Sequence, residues 1–89
     1  MNALIVEDSD NVAVAIETVC AGATIEYLRH DGMPCTLVAI DDIPAYHKVA
    51  VEDIAAGQDI VKYGECIGRA AVNIARGSHV HTHNVADLN

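Results

Sequence analysis

Apolar positions come in short bursts rich in Val and Ile, broken every few residues by Gly or by acidic clusters. That interval is too brief for amphipathic helices and suits strands. The pattern predicts strands near residues 3–7, 12–15, 23–27, 35–40, 48–51, 59–63 and 78–83. Residues 8–11, 30–34 and 41–44 read as turns, because Gly, Asn and Asp tolerate unusual dihedrals and Pro fixes φ. Gly64 and Gly68 flank Glu65, Cys66 and Ile67, which read as a tight turn between strands.

One corner recurs. Val19 to Ile25, Ile54 to Ile60 and Ile74 to Val80 each run apolar residue, two residues, Gly, two residues, β-branched residue. The spacing predicts that the first residue anchors a one-turn helix in the core, that Gly ends it in the left-handed conformation, and that the β-branched residue opens a strand. The copies are unevenly spaced, so the pattern reads as reuse of one corner and not as a solenoid.

Composition narrows the picture. With 89 residues the chain is sized for one domain, residues 1–89, with a modest core. Phe and Trp are absent, so that core must come from Val, Ile, Ala and Leu, and such a module is expected to lean on a partner. The formal charge is −8 and no Lys/Arg cluster exists, which argues against nucleic-acid and anionic-membrane binding. No apolar run approaches the roughly 20 residues of a membrane span, and no basic leader segment opens the chain. Cys20, Cys35 and Cys66 are odd in number and lack a C-x-x-C pair, so they read as free thiols in a reducing, cytoplasmic setting.

The chemistry concentrates late in the chain. His79, His81 and His83 alternate, and in an extended strand alternate residues share a face. Neighbours at i and i+2 stand ~7 Å apart, close enough for two imidazoles to share a metal ion, whereas the outer pair is about twice as far apart. Two of the three are therefore expected to ligate together, the third serving substrate or structure. Iron, zinc, copper or nickel suit such ligands. The same pattern also fits a polar strand edge whose histidines face water. His47-Lys48 and Lys62-Tyr63 form a second polar set, in which Lys beside Tyr or His can anchor a carboxylate or move a proton.

The ordered string His47-Lys48-Val49-Ala50-Val51-Glu52-Asp53-Ile54, Gly57, Ile60-Val61-Lys62-Tyr63-Gly64, Ile67-Gly68, Ala70, Ile74, Gly77 and His79 to Asn84 resembles the amino-terminal SAF (antifreeze-like) domain of the altronate and galactarate dehydratase family. Residues 10–15 resemble that family's opening strand. The resemblance implies a mainly β, β-clip fold of short, strongly bent strands. It also implies a part in an iron-dependent β-elimination, in which a sugar acid loses water, or in which the related sulfolactate sulfo-lyase releases sulfite. It implies Fe2+ as cofactor and a much larger catalytic subunit as partner, without which the chain is expected to be inactive. Met1 and the short tail favour a separately encoded small subunit over an excised domain. Carried over where the motifs match, His79, His81 and His83 are the expected metal ligands or acid, His47, Lys62 and Tyr63 the catalytic set, and Lys48 and Asn84 the substrate-binding set. A different class of reading is a non-catalytic binding or assembly module that docks or self-associates through open strand edges.

Overall fold

In the computed structural model, which describes residues 1–86, the chain forms short antiparallel strands and, among those residues, no helix. They are β1 (Ala3–Leu4), β2 (Val12–Ala15), β3 (Thr24–Leu28), β4 (Pro34–Val38), β5 (Lys48–Ala50), β6 (Asp59–Lys62), β7 (Glu65–Ala70), β8 (His79–Val80) and β9 (Val85–Ala86). They make a four-stranded sheet ordered β1-β2-β5-β8, a hairpin β3-β4, and a three-stranded sheet β6-β7-β9.

The apolar run at Val12–Ala15 has a structural reason. Successive side chains of a strand point to opposite faces, and β2 and β5 have core on both. Ala13, Ala15 and Val49 join one cluster with Val19, Ile25, Leu37 and Ile43, whereas Val12 and Ala50 join a second with Ile54, Ile60, Ile74 and Val80. The central strands thus separate two small aliphatic cores, each too thin to stand without them.

The corners contain no helical turn. Gly at positive φ turns the chain out of the right-handed helical path before an i→i+4 bond can form, and the chain closes i→i+3 turns instead. The amide of Ala23 donates to Cys20 O (3.0 Å), Gln58 to Ala55 O (2.9 Å) and Ser78 to Ala75 O (3.0 Å). Gly22, Gly57 and Gly77 occupy the third turn position at φ of 87, 85 and 93°. A single positive φ at that position marks a type II turn, in which Gly is the favoured residue. There is a fourth corner: His47 N donates to Pro44 O (3.1 Å), with Tyr46 at φ 68° where the others have Gly.

This fourth corner explains the uneven spacing. Val19 bridges Ile43 and Ile54 bridges Ile74, so each pair of corners closes the base of one hairpin, β3-β4 or β6-β7. Strand, corner, hairpin and corner occur twice in succession, with β5 shared. Side chains before the anchors tie the pairs together: Asp42 Oδ1 accepts from Ala21 N (2.8 Å), Asn73 Oδ1 from Ala56 N (2.9 Å) and Asp53 Oδ1 from Arg76 N (2.8 Å).

The expected tight turn at residues 65–67 is instead the first half of β7. The turn lies at Tyr63 (φ 56°) and Gly64 (φ 75°), a two-residue type I′ loop between the paired Lys62 and Glu65. Its amides need acceptors, and Asp10 supplies them: the buried carboxylate accepts from Tyr63 N (3.0 Å), Gly64 N (2.7 Å) and Glu7 N (3.2 Å). Asn11 beside it accepts from Val61 N and donates to Asp59 O, both at 2.8 Å. The final predicted strand, 78–83, is also shorter than expected. After Val80 the chain turns through His81 to Asn84 and re-enters as β9 against Arg69 and Ala70.

Candidate metal centre

Antiparallel pairing of β5 with β8 sets Lys48 opposite Val80 and Val49 opposite His79. Cross-strand partners share a face, and so do residues two apart along a strand. His47 therefore lies on the same face as His79, although 32 positions separate them in the chain. His47 Nδ1 and His79 Nε2 are 2.8 Å apart. His81 joins them from the bend after β8, its ring centroid 4.1 Å from that of His47 and 5.6 Å from that of His79. One ring nitrogen from each of His47, His79 and His81 lies within 4.8 Å of the other two, and all three residues are half-buried.

His83 is exposed in the following turn, and its ring is 5.2 Å from that of His79, tilted by 34°. The predicted row of three histidines on one extended strand is not formed, because β8 ends at Val80. The residue that completes the compact trio is His47, immediately before β5.

Three side-chain-to-backbone hydrogen bonds hold His79 and His81. Asp41 Oδ2 accepts the His79 amide at 3.0 Å. Asn84, buried, accepts from His81 N through Oδ1 (3.0 Å) and donates from Nδ2 to His79 O (2.8 Å), so its amide is spent on bracing the histidine loop. Gly77 allows β4 to pass close by: its carbonyl accepts from Ile40 N at 2.9 Å, and a Cβ there would lie 2.4 Å from Val38 O.

His79 and His81 are shifted toward their neutral form, which is the form that binds metal. Partial burial lowers the pKa of His79, with His47, His83 and His81 adding to the effect and Asp41 opposing it. His81 is lowered by desolvation and by the neighbouring charges of His47, Lys48 and His83. Ligand bonds of ~2.1 Å place two nitrogens about 3.0–3.4 Å apart around one ion, within the span this trio offers. The rings lie within 10–21° of parallel. Coordination therefore requires them to turn about Cβ–Cγ so that their in-plane lone pairs converge. The donor set fits a borderline divalent metal.

Beside His81, on the other face of β5, Lys48, Ile67, His81, Thr82 and Val85 line a cavity of about 310 Å3. Lys48, which lines this cavity, is lowered from its ordinary pKa by burial and by the charge of Lys62. Lys62 Nζ lies 4.9 Å from the ring centroid of Tyr63, which is exposed on the β6-β7 loop. His81 is thus shared between the imidazole trio and a small cationic cavity. Thr82, Ile67 and Val85 are additions that the sequence pattern did not single out. Their chemistry is ordinary, and only the return of β9 onto β7 brings them to Lys48.

A small all-β domain of three antiparallel sheets, with a histidine trio at one sheet edge, defines the class. The family model for the altronate/galactarate dehydratase SAF domain matches residues 1–88, and the chain belongs to that family. It is similar to altronate dehydratase of Escherichia coli (strain K12), 43% identical over 75 residues, covering 84% of this chain and 14% of that protein. It is also similar to the (2R)-sulfolactate sulfo-lyase subunit alpha of Chromohalobacter salexigens, 34% identical over 84 residues, covering 91% of this chain and 89% of that subunit. The corresponding subunit of Paracoccus pantotrophus is 44% identical over 54 residues, covering 61% of this chain and 81% of that subunit. This chain therefore spans a small fraction of the dehydratase and nearly the whole of a sulfo-lyase alpha subunit. As a domain or small subunit it is part of a lyase family.

Proposed function

We propose that this chain is the small subunit of a two-subunit lyase that eliminates a leaving group β to a carboxylate, with the sulfolactate sulfo-lyase arrangement. The observation that carries this reading is the 89% coverage of an alpha subunit, joined to the trio His47, His79 and His81 at an open edge. In such a reaction the α proton goes to a base, a carbon–carbon double bond forms, and the β bond breaks with its electron pair leaving on sulfite or hydroxide. The enol so formed tautomerises to a 2-keto acid.

Charge accumulates on the carboxylate side of the transition state, so fixed positive charge there lowers the barrier. In a chain of net charge −8, Lys48 puts a positive charge in one cavity, and Lys62 is the second ammonium group whose field it feels. Two ammonium groups suit a substrate that carries both a carboxylate and a sulfonate. A metal bound by His47, His79 and His81, expected to be Fe2+, would supply Lewis acidity for the developing oxyanion. Tyr63, exposed beside Lys62, would share the substrate's polar end.

Sugar-acid dehydration is the second reading, supported by 43% identity to altronate dehydratase. The two are separated by assaying anaerobically prepared chain with ferrous iron, alone and mixed with the large subunit encoded in the same genome. Sulfite release from sulfolactate, in the mixture only, is expected. Loss of water from altronate or galactarate in its place establishes the second reading. Silence on every substrate despite a stable complex leaves a non-catalytic assembly module.

A further inference from the structure

Three of the four corners put Gly at the third turn position, and the fourth puts Tyr46 there at φ 68°. In that region a Cβ crowds the backbone, so local physics selects Gly and tyrosine is held against preference. The core gives no reward for this choice. Tyr46 is 77% exposed, more than any other large hydrophobic side chain among the described residues. The backbone gives none either, since the hydrogen bond from Tyr46 N to Ala15 O at 2.6 Å needs no side chain. Strain retained without a structural return points to function.

Its position names that function. Tyr46 is joined by one peptide bond to His47, a member of the imidazole trio. A metal held by three nitrogens would have coordination positions left over, and a group completing them would approach the edge to which Tyr46 is joined. Ile16, 39% exposed, follows Ala15, whose carbonyl accepts the Tyr46 amide, and is a second exposed apolar side chain on this stretch of backbone. Tyrosine suits such a contact, offering a large amphipathic area at small rotamer cost.

We infer that Tyr46 is an anchor through which the histidine edge docks onto the large subunit, its ring buried in that partner; the inference rests on the small-subunit reading. The Tyr46→Gly chain supplies the test, because glycine is the residue this turn prefers. Thermal unfolding of the isolated variant should give a Tm no lower than that of the unaltered chain. Calorimetric titration against the large subunit encoded in the same genome should show affinity reduced by about tenfold or more. Equal affinity overturns the inference, as does a fall in Tm, which would show the ring serving its own fold. Loss of a homodimer by Tyr46→Gly, with large-subunit binding intact, assigns the surface to a second copy and also overturns it. If the unaltered chain forms no complex with the large subunit, the small-subunit reading falls together with this one. A complex that Tyr46→Gly matches overturns this inference alone.

Discussion

At the scale of single residues, the histidines differ in what each is asked to do. His47, His79 and His81 bring ring nitrogens within 4.8 Å of one another, and His83 stands outside this trio. Replacing any of the three by alanine should weaken divalent-metal binding by more than about 100-fold, because loss of even a supporting partner of a ligand costs 10- to 100-fold. His83→Ala should shift it by less than about threefold, given that steeper loss is confined to ligands and their supports. Competition against a chromophoric chelator measures both. The His-x-His-x-His spelling drew attention to residues 79–83, yet it could not distinguish His83 from His47. Alternation equates residues only while the chain stays extended, and here the strand stops after Val80.

Individual elements are held by a few close approaches. Gly22 and Gly77 occupy equivalent corners at φ of 87 and 93°, but a Cβ on Gly22 meets nothing within 4 Å whereas one on Gly77 lies 2.4 Å from Val38 O. Gly22→Ala should therefore cost only the dihedral penalty, about 1–2 kcal/mol. Gly77→Ala must also push β4 from the β8 corner and should cost about 3 kcal/mol or more. Urea midpoints at unchanged m-value give the comparison. In the β6-β7 hairpin, Asp10→Ala strands the amides of Glu7, Tyr63 and Gly64. At 1–3 kcal/mol for each unsatisfied buried group, partly relieved by water, a loss of about 3 kcal/mol is expected in the same measurement. From sequence, Asp10 and Asn11 read as turn formers and as the start of the family's opening strand. Their acceptors and donors serve a hairpin some fifty residues away, which no local pattern encodes.

Across the whole molecule, the lowered pKa values of His79 and His81 couple stability to pH. The folded chain binds these protons less readily than the unfolded chain, whose histidines titrate near 6.5. Stability tied to the neutral rings is complete above that value. It is lost as pH falls from about 6.5 through the lowered folded values. The metal-free chain should thus show a Tm that declines on acidification below about pH 6.5, and His79→Gln should flatten that decline. Thermal scans from pH 8 to pH 5 at constant ionic strength test the sign. Metal binding should weaken over the same range, since protons and metal compete for the same nitrogens.

Much of the architecture was set by the sequence alone. Short apolar bursts ruled out long helices, the Gly corners marked the bends, and strands at 12–15, 48–50 and 59–62 fell within the bursts that predicted them, because a short apolar run bounded by Gly or acidic residues is a local property. The resemblance carried by residues 47–84 likewise needed no coordinates. Tertiary structure decided the rest. It put a fourth corner at Tyr46, where Gly does not announce the turn, and it converted residues 65–70 into a strand by moving the turn to Tyr63-Gly64. It brought His47 to His79 and Lys48 to Thr82. Those meetings depend on which strands pair and in what register. That choice is made by burying two aliphatic cores on either side of β2 and β5, and it is not written in any short stretch of the chain.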